Sequence, residues 1–132
     1  MEYTLVKIDM RKIKDEDSFH DIFSQKMGFP SFYGRNMDAW IDCMTSIDRP
    51  EDGMTKVHAP KGGVLVLELE NMSEMWKRCP DISRDIVDCA SFVNYRRLEG
   101  GEESPVLVLS YEQNIHQTAA MDALMRAAEQ RR

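Results

Sequence analysis

The 132-residue sequence lacks any long hydrophobic run; Val64–Leu67, as long as any, spans only four residues. A membrane-spanning helix needs about 20, so none is expected, and the N-terminus shows no signal-peptide pattern. Cysteine is scarce and odd in number. Cys43, Cys79 and Cys89 form no C-x-x-C pair, which argues against a disulfide framework or a thiolate zinc site. Three free thiols in a cytoplasmic protein are expected instead. Positive charge is short as well: 17 Lys and Arg stand against 23 Asp and Glu, a net charge of −6. Nucleic-acid binding draws on Lys and Arg to neutralise phosphates, so no direct nucleic-acid partner is expected. A basic protein suits this charge better, because opposed fields speed encounter. Also missing are a glycine-rich phosphate loop, a dinucleotide fingerprint, an H-E-x-x-H helix and a nucleophile–base signature. The sequence is not read as an enzyme, and no cofactor or metal is expected; His58 has no partner at metal spacing.

What is present fits one globular domain with a single core: 42% of residues are apolar and 30% charged, too apolar for a disordered chain. Tyr3–Ile8 reads as a short strand. Asp15 or Asp17 can cap a first helix with an apolar stripe of Phe19, Ile22, Phe23 and Met27, His20 lying on its polar side. Gly28 and Pro30 end that helix. Tyr33-Gly34 supplies a turn, with Gly34 free to take positive φ, and Asn36 caps a second helix. On this one Met37, Trp40, Ile41 and Met44 recur at the spacing of a buried stripe. Asp48 to Gly63 is a long loop punctuated by Gly and Pro, a length that in compact domains is usually functional or mobile.

Val64–Leu69 is the most continuously apolar segment and is expected to be a central strand buried on both faces. Asn71 or Ser73 can start a short helix closed by Pro80. Asp81 can cap a longer one that carries Ile82, Ile86, Cys89, Ala90, Val93 and Arg97 on one side and ends at Gly100-Gly101. Val106–Leu109 is a third strand. Strands separated by helices imply an α/β fold, a small three-stranded parallel sheet packed with helices. Beyond it, Thr118–Arg132 reads as an amphipathic helix with Met121, Leu124, Met125 and Ala128 on one face. The expected organisation is a domain over 1–111 and a helical extension over 112–132 packed on it. A monomer is expected, pairing of two copies through that helix being the alternative.

The functional signal sits on the second helix. Asp38 and Asp42 are four apart, so both carboxylates leave one side of it, a spacing that costs a helix a few tenths of a kcal/mol (~0.3). Stability does not ask for the pair. From residue 36 to residue 52, Asp38, Asp42, Asp48, Glu51 and Asp52 stand against Arg49 alone.

The run Tyr33-Gly34-x-Asn36-Met37-Asp38-Ala39-x-x-Asp42-Cys43-Met44-Thr45 resembles the core of the barstar family, intracellular inhibitors of the ribonuclease barnase. The likeness reaches back to about Asp17, weakens after Ile47, and returns as a strand–helix–helix–strand order up to Ser110. It implies the same three-stranded parallel sheet. It also implies an inhibitor of a ribonuclease or related nuclease toxin, whose acidic helix enters a cationic cleft as a phosphate mimic. In that resemblance Asp42 matches the central acidic contact and Asp38 a second one, while Gly34 and Asn36 match contact or shaping positions. Phe32 stands where the family has a contact Tyr, Ile41 and Ile47 stand where it has two Trp, and Tyr95 falls near a further acidic contact. The partner-binding set so implied is Phe32, Gly34, Asn36, Asp38, Ile41, Asp42 and Ile47. The Asp48–Gly63 loop departs from the family pattern. An interaction module with a non-nuclease partner is the alternative.

Overall fold

A computed structural model describes residues 1–112 and 126–130. Three parallel strands form the sheet, β1 (Tyr3–Asp9), β2 (Val64–Glu70) and β3 (Leu107–Ser110), in the order β1-β2-β3. The continuously apolar segment is central, as its composition requires. Leu5 pairs with Val66 and Val66 with Val108; Val6 pairs with Leu67 and Leu67 with Leu109. Side chains alternate across a strand, so the second set, with Ile8, Leu65 and Leu69, faces the core. The first set does not: Leu5 and Val108 are exposed and Val66 is half-buried. The expectation that β2 is buried on both faces is therefore corrected. Within the described residues one face of the sheet packs on the core and the other stays largely open.

Four α-helices are described within residues 1–112: α1 (Glu16–Met27), α2 (Met37–Thr45), α3 (Met72–Arg78) and α4 (Pro80–Glu99). Asp15, not Asp17, caps α1. Its carboxylate accepts from the Ser18 amide at 2.8 Å, and the Asp15 amide donates to the Ser18 hydroxyl at 3.0 Å, so two orphan donors are satisfied at once. Gly28 ends α1 at φ 68. It is needed there for a second reason: a Cβ would lie 2.6 Å from the Lys56 Cβ, where the long loop closes onto the helix end. α4 begins at Pro80, with Cys79 in the cap position rather than Asp81. Proline is pre-shaped for the first helical turn and lacks an N–H that would be orphaned there.

The core gathers Phe19, Phe23 and Met27 from α1, Trp40, Ile41, Cys43 and Met44 from α2, Met72 and Met75 from α3, and Ile86, Ala90 and Val93 from α4. Asn94 of α4 holds the start of β3. Its amide donates to the Leu107 carbonyl at 2.8 Å and its oxygen accepts from Val106 and Leu107, each at 3.0 Å. The family-like domain boundary near residue 111 and the proposed 118–132 helix fall largely outside the described residues. Only 126–130 of that stretch is described, and it is helical, with Ala128 exposed.

Candidate functional site

The turn into α2 is built differently from expectation. Gly34 is not in the left-handed region; Arg35 is, at φ 52. An L residue pays roughly 1–2 kcal/mol there. The guanidinium of Arg35 is tied back to α1, 2.9 Å from the Asp21 carboxylate and 3.1 Å from the Asp17 carbonyl. A Cβ on Gly34 would meet only ordinary contacts at 3.5 Å from Ala39 and Asn36. Asn36 then caps α2, its side chain accepting from the Ala39 amide at 2.8 Å.

Below this turn lies a part-buried polar pair that residue type alone does not predict. His20 is only 5% exposed, and its Nδ1 is 2.6 Å from the Tyr33 hydroxyl. His20 lies three residues before Phe23 and seven before Met27, so it shares their stripe; that was the available signal. Burial, helped by the Arg35 cation, lowers its pKa, while Glu16, Asp17 and Asp21 pull the other way. Burial raises the Tyr33 hydroxyl far above the ordinary tyrosine range. The expectation of a surface histidine is corrected.

Phe32, Gly34, Asn36, Asp38 and Asp42 are all exposed. Phe32, Gly34, Ala39, Asp42 and Met54 border one hollow of about 210 Å³. The fold therefore gathers three of the expected contact residues into one concavity. Met54 comes from the long loop, so the loop supplies part of the wall. It is held there by backbone bonds from Lys56 and Val57 to the Met27 carbonyl and from Ala59 to the Ile47 carbonyl. The Thr4 hydroxyl also donates to the His58 carbonyl at 2.7 Å. Ile41 and Ile47 are buried in the core. Ile47 is fully buried and Ile41 only 9% exposed, so neither stands at the surface as the other five expected contact residues do.

The acidic stretch is less uniform than its composition. Asp48 is bidentate to the buried Arg97, at 2.8 and 2.7 Å, and so is part of the framework. Asp42 accepts from Arg96 at 2.8 Å, with the pair 59% and 42% exposed. The Cys89 thiol is pushed up first by burial and then by the charges of Asp85, Asp88 and Asp38. Burial also pushes the Cys43 thiol up to about 11, with a smaller contribution from Asp42. A nucleophilic cysteine needs the opposite shift. All three cysteines are free. No helix among the described residues is long and apolar enough to cross a membrane. The arrangement is a solvent-facing display of carboxylates beside a shallow hollow.

The family described as "Barstar (barnase inhibitor)" matches residues 3–110. YrdF of Bacillus subtilis (strain 168), which carries the provisional name of a ribonuclease inhibitor, is 43% identical over 44 residues. That match covers 33% of this chain and 48% of YrdF, so it spans about half the length of the relative.

Proposed function

We propose that this chain, which belongs to the barstar family, is a protein inhibitor of a basic ribonuclease or nuclease toxin. The family's description is of an inhibitor, not of an enzyme. Inhibition proceeds by docking α2 and the turn before it into the cationic cleft that holds RNA phosphates. The observation that carries this is the exposure of Asp38 and Asp42 on one side of a helix anchored by Trp40 and Met44, which are fully buried. An anchored helix has little orientational freedom left to lose on binding. Carboxylates held in this way accept charge-assisted hydrogen bonds from Arg, Lys and His where a phosphate would otherwise sit. Phe32 and Gly34 line the adjoining hollow, which receives a side chain of the enzyme. Asn36 acts indirectly, by capping the helix that carries the acids.

The test is inhibition of RNA cleavage by the cognate nuclease, with Asp42→Ala and Asp38→Ala variants alongside the wild type. Truncating one partner of a desolvated charge pair costs on the order of 2–5 kcal/mol, a range that complexes of this family helped to set. Asp42→Ala is expected to weaken inhibition by well over about tenfold while leaving circular dichroism and melting nearly unchanged. Asp38→Ala is expected to weaken it less. A variant that unfolds would make Asp42 structural; full inhibition by both variants would remove α2 from the mechanism.

A further inference from the structure

The residue expected to lead into a cationic cleft already has a cation on it. Arg96 Nη1 lies 2.8 Å from Asp42 Oδ1. The Arg96 side chain is still 42% exposed, so it faces the same solvent that an incoming partner must displace. No other described ion pair reaches Asp42 or Asp38 from a basic residue. The docking face is therefore not a plain acidic plug. It is mixed in sign, with the Asp38 carboxylate, the Asp42 carboxylate and the Arg96 guanidinium held on two helices that pack against each other.

Like charges brought together across an interface are costly, and this is a principal way in which one partner is rejected in favour of another. A cleft lined only with Lys and Arg meets Arg96 as a like charge. A cleft that sets a carboxylate among its cations offers Arg96 a new partner as Asp42 is taken over. Resting on the inhibitor reading, we infer that Arg96 is a specificity-determining residue. It selects a nuclease that presents a carboxylate opposite it and disfavours a uniformly cationic cleft.

The experiment uses the full chain with barnase as the cationic-cleft probe, and compares wild type, Arg96→Gln, Arg96→Lys and Asp42→Asn by surface kinetics. Circular dichroism establishes that each variant is folded. Arg96→Gln removes the charge and keeps a polar stem; it is expected to bind barnase at least about tenfold tighter than wild type. Arg96→Lys keeps the cation and is expected to stay near wild type, which separates charge from packing. The advantage of Arg96→Gln is expected to shrink as salt rises. If Arg96→Gln binds no better than wild type while Asp42→Asn weakens binding, this inference falls and the α2 reading stands. If Asp42→Asn also leaves barnase binding unchanged, both fall together. Absence of binding by every variant, Arg96→Gln included, overturns the inference as well.

Discussion

Arg96 and Arg97 are neighbours on α4, and each pairs with an aspartate at or just beyond α2. Their surroundings make them opposites. Arg97 is 6% exposed and Asp48 19%; the pair is bidentate, and Arg97 also reaches the Thr45 carbonyl at 3.4 Å. Arg96 and Asp42 meet in the open through one bond. Successive helical residues are turned by about 100°, so one step along the chain moves a guanidinium from framework to surface. The buried pair sets how α2 and the start of the long loop sit on α4. The exposed pair dresses the face that such a framework holds out. The same two residue types thus build the framework in one place and, in the proposed reading, the recognition face in the other, and burial decides which.

Removing one partner of the buried pair is the largest expected break in this contrast. Arg97→Ala leaves Asp48 charged and poorly solvated, and is expected to destabilise the fold by about 3–5 kcal/mol, read as a lower midpoint in urea with an unchanged slope. A loss below about 1 kcal/mol, the range of exposed pairs, would mean that water reaches Asp48 freely and that the two pairs are alike.

A part-buried, uncharged pair sharpens the point. His20 is held neutral by burial, so its pKa in the folded protein lies below the ordinary value of 6.5. As pH falls below about 6.5 the unfolded chain takes up the proton first, and stability falls with pH through that window. The slope is bounded by one proton, about 1.4 kcal/mol per pH unit. His20→Gln is expected to flatten the stability profile between neutrality and the carboxylate range. An unchanged profile would show that His20 titrates as an exposed histidine does.

The smallest effect belongs to the exposed pair. A double-mutant cycle on Asp42 and Arg96, read by thermal melting, is expected to give a coupling under about 1 kcal/mol. A larger value would move the pair from the recognition face into the framework.

Much of this was legible beforehand, and the misses have physical causes. The order of strands and helices followed from periodicity and breakers, and α2 with its Asn36 cap and exposed acids followed from spacing. Ile41 lay on the apolar stripe with Trp40 and Met44, so its burial was written in the sequence; the resemblance alone suggested a contact role. His20 was misplaced because a polar residue on an apolar stripe was assigned by type rather than position. The left-handed residue was assigned to Gly34 because glycine is the usual choice, whereas Arg35 takes it with its side chain tied to α1. The pairings of Arg96 with Asp42 and of Arg97 with Asp48 join residues 54 and 49 positions apart. Only packing brings such partners together, and no local pattern encodes them.

The way the long loop is fastened has a consequence for engineering. Its bonds to Met27, Ile47 and Thr4 divide the stretch into short spans, so the closure entropy of each is small and further length at the tip adds only slowly to it. The tip itself, Glu51–Gly53, is exposed, and a Cβ on Gly53 would meet nothing within 4 Å. A tag or a fluorophore-bearing peptide grafted between Glu51 and Asp52 would thus ride on a fixed base, close to the hollow walled by Met54, and would report on docking at the proposed face without altering Asp38 or Asp42.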